Sequence, residues 1–271
     1  MNVEDFQLFE SAIVNSAILL SQSKRVEGQP NAWVVNEVFE GETSFEGFVS
    51  RNRFEYPQIE FSNEYWLLVP KDLLLLKRKI EDAGETLESL DAKIRLGLAT
   101  GANYAFLIDE KQRRQLLASD KKSSEIIKPI IRGRNIFRYR YEWSGLYILL
   151  TKNGVNVKRD YPAVYTYLDS FGERLKKRGA KGKHWTNLRA CSFFDDFKLE
   201  KIIWIELTDR GRFTLSSEEI YLLNTAYFML PPTGFSAKYL LGILNSKLIQ
   251  FYLVLIAETS GMGTTRWIKN Y

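Results

Sequence analysis

Between Ile126 and Trp143 the chain reads Ile-Ile-Lys-Pro-Ile-Ile-Arg-Gly-Arg-Asn-Ile-Phe-Arg-Tyr-Arg-Tyr-Glu-Trp. Lys128, Arg132, Arg134, Arg138 and Arg140 face one acid, Glu142, and Phe137, Tyr139, Tyr141 and Trp143 stand between the cations. Guanidinium groups interleaved with rings suit a polyanion: the planar fork grips phosphate with two bonds, and the rings offer stacking faces to bases. Gly133 permits a tight or positive-φ backbone, which lets both arginines and the amide nitrogens converge on one phosphate or base edge. A solvated basic turn whose rings belong to the core remains an equally open reading.

Other stretches could add to such a surface. Lys111 to Arg140 holds ten basic residues, among them Arg113 and Arg114, against two acids, Asp120 and Glu125. Lys176-Lys-Arg-Gly-Ala-Lys-Gly-Lys-His-Trp185 joins charge to glycines and reads as a mobile loop that could order on a groove through Lys181 and Lys183, with Trp185 stacking or packing beneath, or as a solvated loop. Asp209-Arg-Gly-Arg212 places Arg210 and Arg212 in a turn. The glycine loop Gly97 to Asn103 lacks both the P-loop and the dinucleotide-turn spacing, so its Thr100, Asn103 and amides could meet a DNA phosphate or base, or form a purely structural turn. The DNA-binding candidates are therefore Thr100, Asn103, Arg113, Arg114, Lys128, Arg132, Arg134, Arg138, Arg140, Lys181, Lys183, Trp185, Arg210 and Arg212.

Catalytic motifs are missing. There is no glycine-rich S-adenosylmethionine turn and no Asn-Pro-Pro-Tyr-type motif for a flipped adenine. Asp195-Asp196 with Glu200-Lys201 has the wrong spacing for an endonuclease centre, and the lone His184 sits in a basic loop without a serine elbow. One cysteine, Cys191, excludes an intrachain disulfide and, with one histidine, a thiolate-imidazole zinc site. No metal site is expected.

Lys128-Pro-x-x-Arg132-Gly-Arg-Asn-Ile136, about 25 residues after Gly97-Leu-Ala-Thr-Gly-Ala-Asn-Tyr-Ala-Phe106, resembles the paired signature of the TaqI-like C-terminal specificity domain. That domain is the target recognition part of adenine-specific N6 DNA methyltransferases and of fused type IIG, Eco57I-like, restriction-modification enzymes. Also similar are the helix Lys71 to Gly84 feeding Leu87 to Gly97, Tyr161-Pro162 opening a helix that ends in Leu175-Lys-Lys-Arg178, the strand at Lys201-Ile-Ile, and Leu240-Leu-Gly-Ile-Leu-Asn-Ser246. The set covers roughly residues 65 to 260 in the family's order.

The resemblance implies an α+β recognition domain that binds double-stranded DNA. It also implies catalysis from a methyltransferase domain of the same polypeptide, outside this chain, with S-adenosylmethionine as the parent enzyme's cofactor. No cofactor is expected here. A protein-interaction or scaffold domain that keeps the fold is the alternative. On the same grounds residues 1–64 are expected to be the end of a methyltransferase-like region plus a connector, and residues 65–271 the specificity domain.

Charge supports that division. The 271 residues carry a net +5, yet residues 1–70 hold four basic residues against eleven acids, net −7, and the remainder 34 against 22, net +12. A polyanion-facing surface thus belongs after Pro70. With 45% hydrophobic residues a core is affordable, and the absence of a charged-then-apolar leader points to a reducing cytoplasm.

The positioning elements follow from hydrophobic spacing. Ala12 to Leu20 reads as a buried strand, Gly28-Gln-Pro30 as a break, Ala32 to Phe39 as an edge strand and residues 40–64 as a connector. Lys71 to Gly84 reads as an amphipathic helix packed on the recognition lobe, and Thr86 starts a short helix ending at Gly97. Expected next are strands over Tyr104 to Ile108 and Gly145 to Thr151, a helix start or break at Pro129 and a helix over Tyr161 to Arg178. Strands over Lys201 to Leu207, Arg212 to Leu215 and Tyr221 to Leu230 precede a long apolar helix over Ser236 to Glu258. Lys238, Asn245, Lys247 and Gln250 make that last helix a core element rather than a membrane span.

Overall fold

The structure, a computed structural model, describes residues 31–35, 44–57, 60–61, 66–259 and 265–266. The expected strand Ala12 to Leu20 and the break at Gly28 to Pro30 lie outside the described residues. The chain divides into two compact units, residues 1–86 with 254–266 and residues 87–253 with 267–271.

In the first unit, strand β1 (Asn31–Val34) pairs antiparallel with β2 (Phe54–Pro57), and helix α1 (Phe45–Asn52) stands between them in sequence. The hydroxyl of Ser44 accepts from the Gly47 amide at 3.1 Å and starts α1 inside what the sequence presents as a connector. Helix α2 (Lys71–Glu81) fits its expected span, but Leu74 packs with Val34 and Tyr56.

The second unit runs β3 (Lys93–Leu96), α3 (Asn103–Phe106), β4 (Leu107–Ile108), α4 (Glu110–Ser119), β5 (Ile127–Ile131), β6 (Ile136–Phe137), β7 (Arg140–Tyr141) and β8 (Tyr147–Leu149). It continues through α5 (Val157–Asp160), α6 (Pro162–Asp169), α7 (Gly172–Lys176), β9 (Lys201–Ile205), β10 (Leu207–Thr208), β11 (Phe213–Ser216), β12 (Tyr221–Leu222), β13 (Ala226–Leu230), α8 (Ala237–Leu244) and, up to Leu253, α9 (Lys247–Ile256). The fold is α+β. One antiparallel sheet has the order β11-β9-β13-β3; a second, mixed sheet has the order β12-β5-β8-β4, with β12 parallel to β5.

The two-residue period of β9 explains the core. Ile203 and Ile205 face a cluster that includes Ile130, Ile131 and Ile148 of the mixed sheet and Val164 and Leu168 of α6. Ile202 and Trp204, on the other side, join Tyr227, Met229 and Leu240 and Leu241 of α8. Lys201 is fully buried at the head of this strand, and its ammonium donates to the carbonyls of Phe197 (2.8 Å), Leu199 (3.1 Å) and Glu218 (2.8 Å). Burial pulls its pKa down to about 8.

Several local expectations are corrected. Lys93–Leu96 is a strand where a helix was expected, because its register with Leu230 to Tyr227 completes a sheet edge. Asn103–Phe106 is a helical turn before a two-residue strand, the reverse of the expected strand. Pro129 lies inside β5: β12 pairs only with Ile130 and Ile131, so no partner there requires the missing amide proton. The helix expected over Tyr161 to Arg178 breaks where Gly172 takes φ +58°, and the strand expected over Tyr221 to Leu230 is interrupted at Leu223-Asn224-Thr225. The long apolar helix bends by 64° between α8 and α9. At that bend the buried Asn245 receives the Phe213 amide on Oδ1 (3.2 Å) and gives Nδ2 to the Phe213 carbonyl (2.9 Å). Among the described residues no single helix is long and apolar enough to cross a membrane.

Candidate nucleic-acid interface

The two halves of the sequence signature meet through the segment from Leu222 to Ala226. On one side the Gly97 amide donates to the Ala226 carbonyl (2.9 Å), Leu98 to Leu222 (2.7 Å) and Asn224 to Leu98 (3.1 Å). On the other side the Leu223 amide donates to the Ile131 carbonyl (3.0 Å), and the Gly133 amide to the Thr225 hydroxyl (2.9 Å). Both glycines are required by contact. A Cβ on Gly97 would lie 2.1 Å from the Leu223 carbonyl oxygen, and one on Gly133 would lie 2.4 Å from that of Thr225. Of the tight or positive-φ backbone that Gly133 permits, the structure uses the tight one: its role is close backbone approach.

That contact fixes the turn carrying the arginines. Arg132 is extended and leads into a 3-10 turn, Gly133–Asn135, which exposes Arg134 and half-exposes Arg132. Among the described residues neither guanidinium has an acidic or hydrogen-bonding partner.

The glycine loop and the basic loop after α7 form a second group, stitched by Arg178. Only 7% exposed, its guanidinium donates to the carbonyls of Thr100 (3.2 Å), Leu175 (3.4 Å), Asn187 (2.6 Å) and Trp185, and lies 4.5 Å from the Phe106 ring centre. Burial lowers its pKa from the ordinary arginine value. The Gly182 amide donates to the Asn187 carbonyl (3.0 Å) and the Lys183 amide to Asn153 Oδ1 (2.8 Å), while Asn187 Nδ2 donates to the carbonyls of Lys152 (3.1 Å) and Val155 (3.2 Å). A loop expected to be mobile is thus bonded along its length.

Thr100 is 1% exposed and its hydroxyl is used inside the loop, donating to Asn103 Oδ1 (2.6 Å) and accepting from Ala102 (3.0 Å), so the structure gives it the structural role. Asn103 and Lys183 are exposed, and Lys181 is exposed with its ammonium on the Lys176 carbonyl at 3.0 Å. Trp185 is half-buried, its ring 5.7 Å from Tyr165 and under the Lys176 ammonium at 5.2 Å, packed beneath the loop rather than free to stack.

The remaining candidates are partly neutralised. Arg113 and Arg114 both pair with Glu110, at 3.2 and 2.9 Å, and Arg113 lies over the Tyr147 ring. The Tyr147 hydroxyl and then Arg114 hold the Glu110 carboxyl below its ordinary pKa. Lys128 stands 3.8 Å from Glu219, and Arg140 pairs with Glu142 over the Phe137 ring. Arg210 and Arg212 share Asp209, at 3.0 and 2.5 Å. Arg138 donates to the Asn245 carbonyl at 2.7 Å from the tip of the β6–β7 hairpin.

Three exposed residues stand out that the site candidates omit. Tyr139, at the same tip, takes φ +66° and is 53% exposed, with the Arg138 guanidinium 5.0 Å from its ring centre. A left-handed tyrosine is costly, roughly 1–3 kcal/mol, and persists only where the frame imposes it; here the Tyr139 amide is tied to the Phe213 carbonyl at 2.9 Å. Tyr104 follows Asn103 and carries the Arg174 guanidinium 4.2 Å from its ring centre. Asn224 is exposed on the connector. Its sequence neighbours are uncharged, so only the fold marks it out.

The two sheets, with loops that meet at the 222–226 segment, make this an α+β domain, and among the described residues no group of three or more His, Cys, Asp or Glu is near enough to hold a metal. The model of the TaqI-like C-terminal specificity domain matches residues 128–271. The chain is 30% identical over 184 residues to the Type II methyltransferase M.MjaIV of Methanocaldococcus jannaschii, covering 64% of this chain and 61% of that protein. It is 22% identical over 217 residues to the Type II methyltransferase M.BstVI of Geobacillus stearothermophilus, covering 77% of this chain and 37% of that one. Solved structures include the type IIG restriction endonuclease BpuSI (TM-score 0.45, 15% identity, 80% of this chain and 27% of that chain). Another is the type IIL restriction-modification enzyme MmeI in complex with DNA (TM-score 0.40, 14% identity, 57% and 20%). The chain belongs to the TaqI-like C-terminal specificity domain family. It spans 61% and 37% of the lengths of the two curated relatives.

Proposed function

We propose that this chain binds double-stranded DNA and selects its sequence for an adenine-N6 methyltransferase, with the methyl transfer and its S-adenosylmethionine supplied by a catalytic region of the same polypeptide. Residues 1–64 are then the end of that region and a connector, and the setting is the cytoplasm. Family membership supports the reading. The observation that carries it is the turn at Arg132 and Arg134, where two guanidinium groups without acidic partners among the described residues stand on backbone locked by Gly133 and Thr225. A folded protein gains little stability from leaving such charges apart; a phosphate backbone uses them directly. Asn103, Lys181 and Lys183 extend the cationic and amide-rich edge of the glycine-loop group. Arg113, Arg114, Lys128, Arg138, Arg140, Arg210 and Arg212 have internal partners and would exchange them on binding.

Fluorescence anisotropy with a labelled duplex tests this. Binding at low salt that Arg132→Ala and Arg134→Ala each weaken, at unchanged melting temperature, is expected. Wild-type affinity in both variants would remove this turn from the surface.

A further inference from the structure

We propose that Asn224 reads an A·T base pair in the major groove, and so sets part of the target sequence. The inference rests on the DNA reading above and adds a specificity-determining residue to it. The peptide groups around Asn224 are pinned from both sides. Its amide donates to the Leu98 carbonyl (3.1 Å), the Leu223 amide to Ile131 (3.0 Å), the Glu206 amide to the Thr225 carbonyl (3.1 Å), and the Ala226 amide closes the turn on Leu223 (3.0 Å). The carboxamide, by contrast, is exposed and makes no hydrogen bond with the described residues.

That combination is informative. Asparagine in a turn commonly folds its side chain back onto nearby backbone, where it stabilises the turn. Asn224 stands in a turn already held by other groups and keeps both its acceptor and its donor free. A carboxamide presents one acceptor beside one donor, which matches the N6 and N7 of adenine; phosphate presents only acceptors and is better held by arginine. The connector supplies both kinds of group. Thr225 holds Gly133, and Gly133 sets Arg132 and Arg134, so phosphate anchors and a base reader hang from one rigid segment. Discrimination between bases needs that rigidity, because a side chain on loose backbone can satisfy the wrong edge.

The test selects the full chain, and its Asn224→Ala and Asn224→Ser variants, against a pool of randomised duplexes, with melting temperatures as the check on folding. Wild type is expected to enrich a motif. Both variants should retain that motif except at one A·T pair, where preference falls about tenfold, while affinity for an unrelated duplex stays within about twofold. In the same selection Arg134→Ala should keep the motif and bind every sequence more weakly. An unchanged motif in both Asn224 variants, a loss confined to a G·C pair, or a uniform loss across all sequences overturns the role given to Asn224 while leaving DNA binding standing. A wild-type chain that enriches nothing overturns the DNA reading together with this one.

Discussion

Arg178 and Arg134 carry the same guanidinium in two basic, glycine-containing stretches, and the fold uses them in opposite ways. Arg178 sits in the denser charge run, yet it is buried and bonded to four carbonyls. Arg134 sits beside a glycine chosen for backbone contact, and it is exposed without a partner among the described residues. Charge density along a sequence therefore does not rank residues for ligand contact. What ranks them is whether the fold has already used their donors.

Mutation separates the two regions. Arg178→Ala removes the guanidinium from four carbonyls, of which Leu175 and Asn187 keep a backbone donor, and empties the space beside Phe106, so it should destabilise the chain by about 3–5 kcal/mol in denaturant unfolding. Arg178→Lys should recover only part, since one ammonium cannot replace a fork that spans Thr100 and Asn187. Stability equal to wild type in Arg178→Ala would break the distinction drawn here.

Gly97→Ala and Gly133→Ala test the connector next. Each added methyl meets a carbonyl oxygen of the 222–226 segment, which must shift, at a cost of about 1–3 kcal/mol. Gly133→Ala should also misplace Arg132 and Arg134 and so weaken DNA binding beyond its effect on melting. Gly84→Ala has open space around it and is the control.

Lys201 gives a pH signature to the frame beneath both regions. Its folded pKa of about 8 lies below the unfolded value, about 10.4 for lysine, so between those values the unfolded chain binds more protons. Its contribution should therefore make the protein more stable as pH rises from about 8 to about 10.4, by on the order of 1–3 kcal/mol. Tyrosines such as Tyr161, pushed up to about 12 by burial and by its bond to Glu125, work in the opposite direction at the alkaline end. The readout is thus the difference in unfolding free energy between wild type and Lys201→Met across that window; a difference independent of pH would show that the buried ammonium keeps an ordinary pKa.

Much of the fold was legible in the sequence. The strand at Lys201, the helix from Lys71 and the order of motifs from Gly97 to Ser246 follow from periodicity and from the resemblance. The errors share a cause. Lys93–Leu96 is a strand because an edge of the antiparallel sheet was open to it, and Pro129 sits in a strand, opposite Tyr147 of β8, because β12 on its other side begins pairing one residue later; neither circumstance is local. Arg132 and Arg134 were singled out by sequence, and the structure leaves both guanidinium groups without an acidic or hydrogen-bonding partner among the described residues. At Thr100 and Trp185 the sequence left a structural turn and packing beneath the loop open beside a DNA contact, and burial and neighbours now favour those structural uses. Asn224 was invisible because its role depends on two segments about 90 and 125 residues away.

The smallest effect on stability and the most direct test of function fall on the same residues. Arg132→Ala and Arg134→Ala should change unfolding free energy by no more than about 0.5 kcal/mol, as for other surface substitutions. The decisive measurement is duplex affinity of wild type and of each variant across a series of salt concentrations. The wild-type dependence of log affinity on log salt should have a slope of several units, and each substitution should lower that slope by about one while leaving the melting temperature in place. A wild-type affinity that does not respond to salt, or variants whose slopes equal that of wild type, would contradict the assignment of this turn to the phosphate backbone.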